Sequence, residues 1–407
     1  MRTWPTFIFV LAGSLMAAGQ STAAVPVSDS ASNFKIDVKL VPVHVVVRDA
    51  QGHPVGNLHK EDFQLFDQGK PQVIAQFTFE QADAHVAETT SRSGEKPAPR
   101  AAPARYTAYL FDDLHLSRND LVQAREAADR QFASLSAATE RAAVFTTSGE
   151  KGVDFTADSA KLHEIVAHLE PRGKQAATDC PAMSYYMADL IANRGDADAL
   201  QIATNDSLAC SYDGNVKMIK AAGQTARAIA HEKSEIGRME TGKTIRILRA
   251  LVQGMSKAPG QRVVVIVSPG FFTGEDQSEG DILDLAVRSD ITINTVDPRG
   301  LVTSLDVSTG RIDPQLMAYK TLSDTEESSI LDELADGTGG IFFHNNNDLG
   351  EGLRRVAGSP EYSYVLGFSP KELKNDGRFH KLKVTVNSGA KLTVQARKGY
   401  YAPKKKR

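Results

Sequence analysis

Residues 106–117 read Tyr106-Thr107-Ala108-Tyr109-Leu110-Phe111-Asp112-Asp113-Leu114-His115-Leu116-Ser117. An apolar run stops at two aspartates, and Ser117, a residue suited to capping a helix, follows. Asp120 stands three residues beyond it, a spacing like that of a capping box. The stretch predicts a buried strand, a polar turn and a helix to about Leu135. The same grammar recurs downstream. Val263, Val264, Val265, Ile266 and Val267 are five consecutive β-branched residues, as expected of a central parallel strand covered on both faces. Further strands are predicted at 142–147, 153–155, 291–296 and 341–343. Helices are predicted from Asp158 or Ser159 to Leu169, and at 281–288, 326–335 and 349–356. Five or six such steps predict an α/β fold with an open, mostly parallel sheet and helices on both faces, the Rossmann-like kind.

Outside this core the grammar changes. Residues 36–80 alternate as short strands, with turns at Asp49-Ala50-Gln51-Gly52 and Asp67-Gln68-Gly69-Lys70, and predict a small β-sandwich-like domain. Residues 81–105 are rich in Ala, Pro, Ser and charge and predict a flexible linker. Residues 171–260 interrupt the α/β pattern. Their first half reads as polar and loop-rich. Their second half, 216–256, reads as helical, with Ile247, Leu248, Leu251, Val252 and Met255 on one face. The mixed charges Lys233, Glu235, Arg238 and Glu240 read as a solvated face. Residues 361–402 return to β as a C-terminal extension. The two β segments lack sheet neighbours of their own and are expected to pack together as one platform.

The first 24 residues carry the three parts of a secretory signal: Met1-Arg2, an apolar run from Phe7 to Gly19, and small residues ending in Thr22-Ala23-Ala24. The apolar run falls short of the ~20 residues that span a bilayer. An uncleaved anchor is the alternative to cleavage after Ala24 or Ala23. No later segment reads as a membrane helix, so an exported protein, periplasmic or extracellular, is expected. Outside the cytoplasm, Cys180 and Cys210, the only two cysteines of 407 residues, read as one disulfide. By the loop-entropy argument it contributes roughly 3 kcal/mol. Two cysteines also exclude a zinc site built from paired Cys-x-x-Cys motifs. With Lys+Arg 47 against Asp+Glu 50, the net charge of −3 supplies no basic field for nucleic acid.

In an open parallel sheet, ligands sit beyond the carboxyl ends of the strands. Asp112, Asp113, His115 and Ser117 follow the first strand and are the candidate metal ligands. Carboxylate and hydroxyl oxygens suit Mg²⁺ or Ca²⁺. The alternative for the two aspartates is capping of the first helix or pairing with an arginine. Asp297, in Asp297-Pro298-Arg299-Gly300, reads as a turn former more readily than as a ligand. Hydrolase signals fail: no Gly-x-Ser-x-Gly elbow and no His-Glu-x-x-His occur, and Ser268 is followed by Pro269, which has no N–H for an oxyanion hole.

Residues 106–360 resemble a von Willebrand factor A (vWA) domain. The order of further motifs resembles the acidobacterial vWA-related secreted proteins over nearly the whole mature chain. These motifs are Val43 to Val47 with Asp49, Glu61-Asp62-Phe63 through Gly69-Lys70-Pro71, Leu110 to Leu114, the Cys180 to Cys210 segment, and Asp376 to His380 through Arg397 to Tyr401. The resemblance implies a metal-ion-dependent adhesion site: Asp-x-Ser-x-Ser after the first strand, a Thr from a later loop and an Asp after the central strand. Here the motif is degenerate. Asp112 is followed by Leu114 and Leu116, or Asp113 by His115 and Ser117. Only Ser184 stands near the Thr position, and Ser268-Pro269-Gly270 replaces the expected Asp. Ser184, Ser268 and Asp297 are therefore candidate rim residues.

The expectation is a non-enzymatic, adhesion-type module that recognises an unknown protein partner. The alternatives are an enzyme using Asp112, Asp113 and His115, or a structural cell-envelope component with a vestigial site.

Overall fold

The computed structural model describes residues 40–51, 53–81, 105–174, 180–274, 280–301, 314–358, 362–370, 378–388 and 391–402. The signal segment, almost all of the 81–105 linker and the basic tail from Lys404 lie outside the described residues. Four strands precede the core: β1 (Val41–Arg48), β2 (Phe63–Asp67), β3 (Lys70–Gln72) and β4 (Ile74–Gln81). The core then runs β5 (Arg105–Phe111), α1 (Arg118–Ala133), β6 (Glu140–Thr146), β7 (Gly152–Thr156) and α2 (Ser159–Ala167). An insertion follows, with α3 (Tyr185–Ala192), α4 (Ala197–Ser211) and α5 (Ile219–Met255). The core resumes as β8 (Gln261–Val267), α6 (Gly280–Arg288), β9 (Ile291–Val296), α7 (Pro314–Thr338), β10 (Phe342–Phe343) and α8 (Leu349–Ala357). The chain continues as β11 (Tyr362–Phe368), β12 (Phe379–Val386), β13 (Thr393–Ala396) and β14 (Gly399–Tyr401).

The core sheet has the order β10-β9-β8-β5-β6-β7. All its pairs are parallel except β6 with β7. Side chains alternate across each strand. Tyr109, Phe111, Val263, Val265 and Val267 therefore pack with α1, α2 and α8 on one face. Ala108, Leu110, Val264 and Ile266 pack with α5, α6 and α7 on the other. Two-sided burial is why β5 and β8 read as unbroken apolar runs.

Strands from both ends of the chain interleave in two antiparallel four-stranded sheets, β13-β1-β11-β4 and β14-β12-β2-β3. Val43, Val45, Val47, Tyr364, Leu366 and Phe368 of the first face Phe63, Leu65, Leu382 and Tyr400 of the second in one core. The turn joining β2 to β3 has positive φ at both central residues, Gln68 (50°) and Gly69 (76°), as a tight hairpin of matching twist requires.

Two expectations for local structure are corrected. The segment read as loop-rich carries α3 and α4, with Cys180 and Cys210 joined by a disulfide across a Cα–Cα distance of 6.0 Å. The helix predicted at 326–335 is the second half of the much longer α7. α4 buries mostly small or polar residues, such as Ala199, Ala203, Thr204 and Ser207, and the first half of α7 buries Ser323, so no apolar stripe marks either stretch.

Candidate functional site

At the carboxyl end of β5 the backbone leaves the sheet in a tight turn. The Asp112 carbonyl accepts from the N–H groups of His115 and Leu116, and Ser117 then caps α1 by accepting from Asp120 N. This turn holds Asp112 and Asp113, both buried, over the strand ends. The Asp112 carboxylate accepts from His115 Nδ1 (2.8 and 2.9 Å to its two oxygens), Ser268 Oγ (2.6 Å) and Thr147 Oγ1 (2.8 Å). Asp113 accepts from Ser148 N (2.7 Å) and Ser148 Oγ (2.5 Å). Thr147 Oγ1 also lies 3.0 Å from Asp113 Oδ1, so its single proton bridges the two carboxylates.

Each oxygen of both carboxylates thus faces at least one protein donor. Burial pushes the Asp112 carboxyl up, but the His115 charge and the hydrogen bonds from His115, Ser268 and Thr147 outweigh it and hold it below the usual range. Burial likewise lowers His115. The charge and hydrogen bond of Asp112 prevail, helped by Glu240 and Glu327, and hold the imidazole above its usual range. His115 stacks on Phe271 at 5.6 Å, and its buried Nε2 meets no partner among the described residues.

The surroundings come from the insertion and from α7. Glu240 of α5, read from sequence as part of a solvated face, is half-buried and accepts from Lys174 N (2.6 Å). Burial pushes its carboxyl up. Burial pushes Glu327 of α7 up to about 7. Gly270 makes the close approach of α7 feasible. Its φ is +101°, and a Cβ there would stand 2.2 Å from the Glu327 carbonyl oxygen. Beside Asp113 lies a groove of about 510 Å³, lined by Arg172, Lys174, Arg238, Lys243 and Arg246 against Glu150 and Glu240. Arg172 is paired with Glu150 at 2.8 Å.

The structure thus brings Asp112, Asp113, His115 and Ser268 together. Ser117 is turned to Asp120 as the cap of α1. Ser184 caps α3 and lies 2.7 Å from Ser323 Oγ. Asp297 is held by Arg299, which reaches it at 2.7 Å and Asp324 at 2.9 Å. Thr147 and Ser148, at the end of β6, are the members that sequence reasoning missed. The only signal for them is their place at a strand terminus next to β5 in the sheet.

The carboxylate oxygens of the cluster are engaged within the protein. His115 already occupies the face that both Asp112 oxygens share. Among the described residues, no group of three or more His, Cys, Asp or Glu stands ready for a metal.

Strand order, the single antiparallel edge strand and helices on both faces define an open, Rossmann-like α/β fold, consistent with a vWA-like one. No protein-family model matches the chain, and no curated protein is significantly similar to it. Among solved structures, the chain is similar to the conserved hypothetical protein BatB from Bacteroides thetaiotaomicron, at 11% identity. That match covers 63% of this chain and 100% of the other, with a TM-score of 0.31. It is also similar to an aerotolerance-related membrane protein from Bacteroides fragilis, at 11% identity over 62% of this chain and 98% of the other, with a TM-score of 0.28.

Proposed function

We propose that this chain is an exported, non-enzymatic recognition module that docks an acidic protein segment at the carboxyl rim of its sheet, without a metal. The groove beside Asp113 carries the proposal: it gathers five basic side chains against two acidic ones. A positive groove attracts and orients an anionic segment. His115, whose imidazole is held above its usual range by Asp112, faces both Asp112 oxygens at the rim where the adhesion sites the sequence resembles hold a divalent ion. Export is supported by the disulfide and by the signal-like first 24 residues. Among the described residues, no helix is long and apolar enough to cross a membrane. The motif order supports a place among the acidobacterial vWA-related secreted proteins.

One observation favours the enzyme reading, the Glu327 carboxyl pushed up to about 7. Against it, Glu327 accepts a hydrogen bond from the Tyr186 backbone and does not line the rim groove. The test is fluorescence anisotropy with labelled hexaglutamate, with and without chelator. Binding is expected to be chelator-insensitive and lost in Lys243→Glu/Arg246→Glu. Equal affinity for hexaglutamate and a neutral peptide, or wild-type affinity in the charge-reversed variant, would overturn the proposal.

A further inference from the structure

A second cavity, of about 560 Å³, lies at the opposite end of the sheet. One wall is the β-sandwich, through β1, β4, β11 and β13. The other is the amino-terminal edge of the core sheet. Arg48, Arg105, Arg262, Arg355 and Arg397 all line it, against three carboxylates, Glu80, Glu140 and Asp290. The cavity wall therefore carries two positive charges in excess, before any charge on His44.

The carboxylates are already engaged. Asp290 lies 3.5 Å from Arg397 and 3.6 Å from His44. Glu140 accepts from Ser136 N at 3.1 Å and acts electrostatically on Arg105. Glu80 accepts from Ser363 Oγ at 3.1 Å. The Nε–H groups of Arg262 and Arg397 are buried and meet no acceptor among the described residues. Among the described residues, Arg262 otherwise reaches the Ser256 and Ala258 carbonyls at 3.4 and 3.5 Å and acts electrostatically on Asp290. Arg48 is 9% exposed and Arg105 4%. Burial lowers the Arg48 guanidinium, and the charge of Arg355 lowers it further.

Crowding like charges away from water is costly unless anions answer them. The position of Arg355 in the last turn of α8 has its own explanation in the helix dipole. Arg48, Arg105 and Arg262 lie on strands, and Arg397 directly follows β13, so the dipole does not account for them. Guanidinium forks match the paired oxygens of phosphate better than any other cationic side chain does. The cavity lies within the usual size range of small-molecule sites.

We propose that this cavity binds a dianionic phosphate group, free or as the ester of a small molecule, between Arg48, Arg262, Arg355 and Arg397. The site is distinct from the rim groove, and its test is independent of the recognition proposal.

The whole protein is titrated calorimetrically with inorganic phosphate, glycerol phosphate and sodium chloride at matched ionic strength. Thermal unfolding is recorded alongside. Submillimolar binding of one phosphate species is expected, with a rise in Tm that chloride does not give. Tighter binding of the ester assigns the site to an ester; binding of inorganic phosphate at least as tight assigns it to the free ion. Arg355→Gln, at an exposed position, is expected to keep the unliganded Tm and to weaken binding at least tenfold. Arg262→Gln is expected to do the same to binding; should it fail to fold, Arg355→Gln decides alone. Phosphate acting no better than chloride, or an unchanged Kd in Arg355→Gln, would overturn the proposal.

Discussion

Replacing Asp112 by Ala removes, in one step, an acceptor shared by His115, Ser268 and Thr147. Thr147 keeps Asp113 as a partner at 3.0 Å. Ser268 and the imidazole lose theirs. Leaving one member of a buried charge pair behind costs about 3–5 kcal/mol. An orphaned buried hydroxyl adds about 1 kcal/mol or more. The expected loss is therefore about 4–6 kcal/mol, a large part of the 5–15 kcal/mol typical of a whole fold.

The loss depends on pH with a defined sign. The lowered Asp112 pKa gives stability that is present above the usual carboxylate range and lost as pH falls through the folded value. The raised His115 pKa gives stability that is present below 6.5 and lost as pH rises through the folded value. The penalty is therefore largest between the usual carboxylate range and pH 6.5, and it shrinks as pH rises through the folded value of His115 towards the hydrogen-bond part. Urea titrations of wild type and variant at pH 5.5, 7 and 9, followed by circular dichroism, measure it. A penalty below about 1 kcal/mol at pH 5.5 would refute a charged Asp112–His115 pair.

Three other outcomes are expected. Gly270→Ala forces a Cβ against the Glu327 carbonyl at a φ of +101°, and should cost more than about 2 kcal/mol in chemical denaturation while weakening hexaglutamate binding. Replacing both Cys180 and Cys210 by Ser frees a 30-residue loop and should lower stability by roughly 3–4 kcal/mol, read as a lower denaturant midpoint; no change would show that the bridge does not constrain the unfolded chain. Calorimetry of chelator-stripped protein with Mg²⁺ or Ca²⁺ should show no micromolar binding, because the oxygens of Asp112 and Asp113 already accept protein hydrogen bonds; saturable heat abolished in Asp112→Ala/Asp113→Ala would contradict this.

Where a strand is buried on both faces, its composition alone betrays it, which is why β5 and β8 were legible. Where a helix packs through small residues, the signal fades. α5 buries Ala222, Ala226, Ala230, Ser234, Gly237 and Thr241 at helical spacing, and only its last turns carry the aliphatic stripe that periodicity detects. The same limit hid α4 and the first half of α7. In the site, paired acids beside a histidine are rare enough to stand out, so Asp112, Asp113 and His115 could be named in advance. Thr147 and Ser148 could not, because hydroxyl residues are common and only strand adjacency brings them to Asp113.

The interleaved sandwich imposes an order on events. Val41 pairs with Phe368 and Val47 with Val394, so β1 has no sheet neighbour until the last part of the chain has been made. Closing so long a loop is entropically slow. The α/β core has no such dependence, because β5 to α8 are contiguous in sequence apart from the insertion. A nascent chain therefore carries Val43, Val45 and Val47 uncovered while its centre is already collapsing. Such a strand invites pairing with the wrong partner. A chain cut short before β11 keeps that exposed strand permanently and is expected to aggregate rather than fold, however intact its vWA-like half.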